Sequence, residues 1–390
     1  MEIAARSGTM PDRAGLMPSR ARSIRLLAAA LTFLAVLLPP FGYYSWKASQ
    51  YSRLTRGIGI VQGGSPLLGP SPGLGFAPLP DAATVRQEPS SGQSHAFYTD
   101  RLGARVNRSG DQTPQRVDLM VVGCSFAWGQ GIPNEETFPQ ILGRELGVSV
   151  ANLAFASWGT VQSLRVLETH SDLKPRVVLY AFIHDHMRRN LSPCAPSSVP
   201  ICLPVPHVVV DAAGPHIEEA NMRLFALHRD FAESFFQGRP SLLGGALLAF
   251  RIDLGRLEQR RLRFRGDEGA RAASMALLIG RMNQAARAAG AKLVVVSIPY
   301  FEPGATWSAP RELQAAIDGL GPDAPLLVDL APRVAAHNAG PDPVPLGLRP
   351  DSVPAHPSAA GHRLIADGVR EFFLSHGILA DRMGRRVSGK

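Results

Sequence analysis

The chain has few cysteines: only Cys124, Cys194 and Cys202 in 390 residues. That scarcity excludes a small domain held by a disulfide framework, and no Cys/His cluster has the spacing of a zinc site, so no metal is expected. Charge is also sparse. Charged residues make up 19% of the chain against 45% apolar, which excludes disorder along the whole length and leaves enough apolar sequence for a real core. Acidic residues are outnumbered, 32 against 41 Lys and Arg, giving a net charge of +9. Much of the excess is local. Arg6, Arg13, Arg20, Arg22 and Arg25 precede a long apolar run, Arg382, Arg385, Arg386 and Lys390 close the chain, and five more arginines lie between Arg256 and Arg265. No aromatic stripe interleaves these basic runs, which argues against a nucleic-acid partner. The leader and tail fit contacts with anionic lipid or wall polymer, and the internal run reads as a solvated helix face.

Leu26 to Tyr44 is almost uninterrupted apolar sequence, about the length of one membrane span. The basic bias before it predicts a cytoplasmic N-terminus with the rest of the chain outside, periplasmic in a Gram-negative bacterium. A cleaved signal peptide is the alternative. Trp46 and Lys47 interrupt the place where a small-residue cleavage site would fall, which favours an uncleaved single-pass anchor. Export permits Cys194 and Cys202 to pair across a Pro/Ser-rich loop, leaving Cys124 packed as a small hydrophobe. The expected organisation is a basic leader (1–25), an anchor (26–44), a Gly/Pro-rich stalk (45–92) whose residues 57–92 partly pack on the domain, a main domain (93–376) and a basic tail (377–390).

Within the main domain, short apolar runs alternate with helical patterns. Strands are expected at 117–122, 150–155, 177–183, 293–298 and 326–330, and helices at 136–146, 161–169, 270–289 and from Gly361 to about Phe373. Asn134 is a plausible N-cap and Gly147 a plausible stop. Residues 97–106 read as a hairpin around Asp100-Arg101-Leu102-Gly103. The alternation breaks over 187–269, which reads as an insertion. Repeated strand–helix units imply a parallel sheet covered on both faces, and ligands bind such sheets at the carboxyl ends of the strands. Ser125, Gly159 and Asp185 all follow expected strand ends.

Ser125 sits between Gly123 and Gly129 just after an apolar strand. A serine hydroxyl becomes a nucleophile when a base takes its proton and a carboxylate orients that base. His356 and Asp351 share one loop near the C-terminus and supply both groups. An N-cap role for Ser125 is the plain alternative, and the Gly-x-Ser-x-Gly elbow of α/β-hydrolases is ruled out by Ala127. The thiol of Cys124 is an alternative nucleophile.

These segments resemble the blocks of the SGNH/GDSL hydrolases. Gly123-Cys124-Ser125 through Gly129 is similar to the first block, with Cys124 where the family has Asp. Asn152-Leu153-Ala154-Phe155-Ala156-Ser157-Trp158-Gly159 is similar to the second, Tyr180 to Asp185 occupies the place of the third, and Asp351 with His356 resembles the last. The resemblance covers roughly residues 90–375 and implies a three-layer α/β/α sandwich with a parallel sheet, SGNH/flavodoxin-like, behind an N-terminal transmembrane helix. It implies Ser125 as nucleophile, His356 as base and Asp351 as acid, at a wider Asp–His spacing than the family's usual one. A Ser–His dyad is the alternative, with Asp185 the next carboxylate to consider. The Ser125 amide is one oxyanion donor. Ser157 or Gly159 would give the second and His184 the third, with Asn190 an alternative to His184; Trp128, Asp185 and Asn190 are expected around the pocket.

The implied activity is an extracytoplasmic serine ester hydrolase acting on acyl or acetyl esters, without a cofactor. Its substrate would be an acylated small molecule or a surface polysaccharide. An O-acyltransferase on cell-surface polysaccharide using the same site is one alternative. A degenerate envelope glycan-binding module is the other, favoured by the substitutions at Cys124, Ser157 and His184.

Overall fold

A computed structural model describes residues 20–56, 61–64, 67–87, 94–195, 203–222, 246, 250, 268–301, 308–341, 343–348 and 356–379. Helix α1 (Arg20–Arg56) runs through Pro39 and Pro40 and extends past the expected anchor at both ends. Over Ser23–Lys47 it is long and apolar enough to cross a membrane. Leu26, Leu27, Phe33 and Leu38 are exposed along it, and Tyr43, Tyr44 and Trp46 gather towards its far end.

Six short strands follow: β1 (Val61–Gly64), β2 (Leu68–Ser71), β3 (Gly75–Pro78), β4 (Ala83–Gln87), β5 (Ser94–Thr99) and β6 (Arg105–Val106). Strands β1, β4, β5 and β6 form an antiparallel sheet in the order β1-β4-β5-β6, and β2 pairs with β3. Residues 67–87 lie in the segment expected as a stalk partly packed on the domain, and Leu67, Phe76 and Ala82 are buried in the main core. The Gly and Pro residues there shape tight turns between apolar side chains. Gly75 has φ +81°, and a Cβ on it would come within 2.0 Å of the Pro204 carbonyl. The expected hairpin at 97–106 is present as β5–β6, with Thr99 opposite Arg105. Asp100 holds its turn by accepting from the Leu102, Ala104 and Thr113 amides.

The α/β unit begins with β7 (Leu119–Gly123), α2 (Ser125–Trp128), α3 (Phe138–Leu146), β8 (Val150–Asn152), α4 (Thr160–Thr169), β9 (Val177–Phe182) and α5 (His186–Arg189). Two small antiparallel pairs come next, β10 (Cys194–Ala195) with β11 (Leu203–Pro204) and β12 (His207–Asp211) with β13 (Gly214–Glu218). Beyond β13, the described residues of the expected insertion are 219–222, 246, 250, 268 and 269. The unit resumes with α6 (Glu268–Ala288), β14 (Lys292–Ser297), α7 (Arg311–Asp318), β15 (Leu326–Asp329), α8 (Ala331–Asn338) and α9 (Ala359–Ser375). Helix α3 starts at Phe138 with Thr137 as N-cap, and Asn134 sits in a separate 3₁₀ turn. Pro139 explains the start, since a first-turn proline gives up an N–H that has no intrahelical acceptor anyway.

Five parallel strands make the main sheet, in the order β15-β14-β9-β7-β8. The chain steps from β7 to β8 on one side, then crosses to β9, β14 and β15 on the other. The direction reverses at β7/β9, and in doubly wound sheets the crevice at such a switch point is where ligands bind. Alternate strand residues feed two cores. Met120, Val122, Tyr180 and Val295 pack with Leu164 of α4, Leu278 of α6 and Leu313 of α7. Leu119, Val121, Leu179 and Val294 pack with Leu142 of α3, Val334 of α8 and Val369 of α9. The expected three-layer α/β/α sandwich is therefore the observed one.

Candidate active site

Ser125 is the first residue of α2, directly beyond β7 at the switch point, and is 5% exposed. The two flanking glycines are there for space as much as for dihedral freedom. Gly123 has φ +153°, and a Cβ would meet the Ala181 carbonyl oxygen at 2.8 Å. Gly129 closes α2 with φ +79°, and its Cβ would lie 2.2 Å from Thr137 Cγ2. As a first helical residue, Ser125 has a backbone N–H with no acceptor inside its helix. Cys124, where the resembled family has Asp, is buried beside it as a free thiol, and burial raises its pKa. A protonated thiol is a poor nucleophile.

The last block comes to the same point. His356 Nε2 lies 2.9 Å from Ser125 Oγ, and its ring packs 5.6 Å from that of Phe126. Backbone pairing fixes the loop on both sides of the imidazole: the Leu348 amide donates to the His356 carbonyl at 2.8 Å and the Ser358 amide to the Leu346 carbonyl at 2.7 Å. Ser358 then caps α9, its Oγ accepting from the Gly361 amide. Asp351 lies outside the described residues.

The second block separates its two candidate donors. Gly159 is the N-cap of α4 with an extended backbone, and its N–H donates to Gln162 Oε1 at 2.9 Å. That bond takes Gly159 out of the donor set. Ser157 instead adopts φ +65°, the left-handed conformation for which a glycine is usually selected.

Four other expected residues have duties elsewhere or at the rim. His184 is exposed just beyond β9. Asp185 accepts from Arg188 Nε at 2.8 Å and Arg189 Nε at 2.7 Å. Burial alone would raise its pKa, but the hydrogen bonds and charges of the two arginines outweigh it and hold the carboxyl at about 2. It is thus committed to arginine rather than to His356. Asn190, expected near the pocket, is buried with Oδ1 accepting from the Thr160 amide at 2.8 Å and Nδ2 donating to Met275 Sδ. It caps α4, so it is not an oxyanion donor. Trp128, also expected in the pocket, points into the core, 2% exposed, between Phe97 and Phe155. Its apolar bulk finds more cover there than at the switch-point surface. Cys194 is disulfide-bonded; Cys202 lies outside the described residues. Among the described residues no group of His, Cys, Asp and Glu is placed to hold a metal ion.

Sequence reasoning missed Arg105. It is 2% exposed, and its guanidinium donates to the carbonyls of Trp128, Gly129 (2.6 Å) and Ile132 (2.6 Å), the segment directly after Ser125. The one local signal was an arginine inside an apolar hairpin strand.

No family model matches the chain, and no curated protein matches it. Solved structures do. A catalytic mutant of an acetylxylan esterase from Geobacillus stearothermophilus is 12% identical, with a TM-score of 0.32, over 66% of this chain and 94% of that one. A G-D-S-L family lipolytic protein from Desulfitobacterium hafniense is 14% identical, TM-score 0.31, over 66% and 98%. A salicylyl-acyltransferase from a tetracycline biosynthetic pathway is 15% identical, TM-score 0.33, over 82% and 78%. Likenesses of this size establish no activity, and the chemistry is read from the residues themselves.

Proposed function

We propose that this chain is a serine ester hydrolase of the SGNH/GDSL type, acting on acyl or acetyl esters through an acyl-enzyme on Ser125. One observation carries the reading: the 2.9 Å contact between Ser125 Oγ and His356 Nε2, built from segments at opposite ends of the α/β unit. His356 takes the hydroxyl proton as Ser125 Oγ attacks the ester carbonyl carbon. The developing oxyanion is met by the Ser125 amide and by that of Ser157, donors already fixed by the backbone. His356 then returns the proton to the leaving alkoxide. Water, deprotonated by the same imidazole, releases the acid and restores Ser125. Asp351 is the proposed acid that orients His356 and stabilises its charged form. His184, at the carboxyl end of β9, is the proposed third donor.

Helix α1 is proposed as a single-pass anchor with the catalytic unit outside the cytoplasm. The exposed apolar stretch and the Tyr43, Tyr44 and Trp46 rings towards its end support that reading, since such rings settle at membrane interfaces. The bonded state of Cys194 agrees with an oxidising compartment.

Ser125→Ala tests the chemistry. It should keep the fold, abolish fluorophosphonate labelling and lower turnover of a short-chain nitrophenyl ester by about 10³-fold or more. Full activity in Ser125→Ala with loss in Cys124→Ala would move the nucleophile to the thiol. Wild-type protein that neither labels nor turns over ester would leave a binding module.

A further inference from the structure

Arg105 is buried and charged and lies outside every block of the site. Its planar fork reaches three carbonyls of the segment that follows the nucleophile: Trp128 and Gly129 through Nη1, Ile132 through Nη2. The guanidinium lies 4.6 Å from the Phe97 ring centroid and 5.5 Å from that of Trp128. No carboxylate is hydrogen-bonded to it among the described residues, and Glu135 acts on it only through space. Burial consequently pulls its pKa down to about 9. A charge placed at such cost is a poor device for filling space, which a leucine or methionine would do without the desolvation penalty.

The last glycine of the first block is fitted to this side chain. A Cβ on Gly129 would stand 2.7 Å from Arg105 Nη1. The grip also passes back to the serine. The Gly129 and Gln130 amides donate to the Ser125 carbonyl at 3.0 and 3.2 Å, while Arg105 holds the carbonyls of Trp128 and Gly129 from the other side. Ser125 is thus pinned through its own backbone, with its Oγ left to face His356.

We infer that Arg105, carried by the small antiparallel sheet, is a positioning residue that locks the turn after Ser125 and so holds the nucleophile in register with His356. The inference rests on the esterase reading for its catalytic consequence but not for the lock itself. Lysine offers a point charge in place of a planar fork and cannot span three carbonyls.

Arg105→Lys and Arg105→Gln test it in the full chain. Folding is followed by cooperative thermal unfolding. The lock is read by hydrogen exchange at residues 125–132, and catalysis by kcat and KM on a short-chain nitrophenyl ester. We expect folded variants with faster exchange confined to 125–132. Their kcat should fall by about 10- to 100-fold with KM unchanged within about twofold, lysine the milder. A folded variant with wild-type exchange at 125–132 overturns the lock. Faster exchange with wild-type kcat overturns its catalytic role, and loss of cooperative folding in both variants makes Arg105 a core residue only. If wild-type protein is inert towards esters, the esterase reading fails, and the exchange arm still decides the lock.

Discussion

The first and second blocks of the site treat their turns differently. Gly123 and Gly129 are kept in the first, and each faces atoms that leave no room for a Cβ: the Ala181 carbonyl for one, Thr137 and Arg105 for the other. In the second block the corresponding turn carries Ser157 at φ +65°. A left-handed serine costs on the order of 1–2 kcal/mol, which a fold can absorb. A Cβ driven into a neighbouring backbone cannot be absorbed without moving a strand. A glycine required only by its dihedral is replaceable, while one required by space is not.

Three substitutions break or sharpen that contrast. Gly123→Ala carries the largest expected effect. Overpacking against Ala181 and an unfavourable dihedral together should cost about 3 kcal/mol, read as a lower urea midpoint, with loss of activity as β7 shifts. A loss under about 1 kcal/mol would mean that space does not set this position. Ser157→Gly should change little. Relief of the left-handed conformation opposes the greater freedom of glycine in the unfolded chain, so stability should stay within about 1 kcal/mol. Because the proposed donor is the backbone N–H, ester turnover should stay within about threefold, and a larger loss would bring the serine hydroxyl into the chemistry.

The third substitution concerns what lies beneath the two blocks. A buried neutral histidine sits on each side. His186 Nδ1 is 2.7 Å from the Tyr180 hydroxyl, which is itself 2.7 Å from Thr160 Oγ1 at the start of α4. His362 Nδ1 accepts from the Phe138 amide at the start of α3. Burial, with the charges of Arg105 and His356, pulls the His362 pKa from 6.5 to about 3. Between those values the unfolded chain binds a proton that the folded chain does not, so stability rises with pH across that window and is lost as pH falls from 6.5 towards 3. His362→Gln should flatten the rise of the thermal midpoint between pH 4 and pH 6.5 relative to wild type. An unchanged slope would assign the acid sensitivity to other groups, His186 first.

Much of this was legible beforehand because the signals were local. Apolar runs at βα spacing gave the parallel sheet, and turn residues around Ser125 and His356 marked both halves of the proposed pair. What escaped depended on partners distant in sequence. The side chain of Asn190 is taken by Thr160 and Met275, 30 and 85 residues away. Nothing near Trp128 in sequence foretells Phe97 and Arg105 as its neighbours. Composition reports turn content, so the Gly/Pro-rich segment reads as a stalk partly packed on the domain; which side chains enter the core was not legible, because those at 67, 76 and 82 are too widely spaced to form a pattern.

The small antiparallel sheet bears on how such a chain can be divided. Its Phe97 stacks on Trp128 and its Arg105 grips the loop beyond α2, while the Phe76 carbonyl of the separate β2–β3 pair receives the Trp158 indole N–H. A fragment cut at the first parallel strand would look complete on a topology diagram and would carry both Ser125 and His356. It would also open the floor beneath one and strip the carbonyls behind it of their donor. The unit that can be exchanged between proteins, or freed from the apolar helix for work in solution, therefore begins before Leu67 and not at the sheet that gives the fold its class.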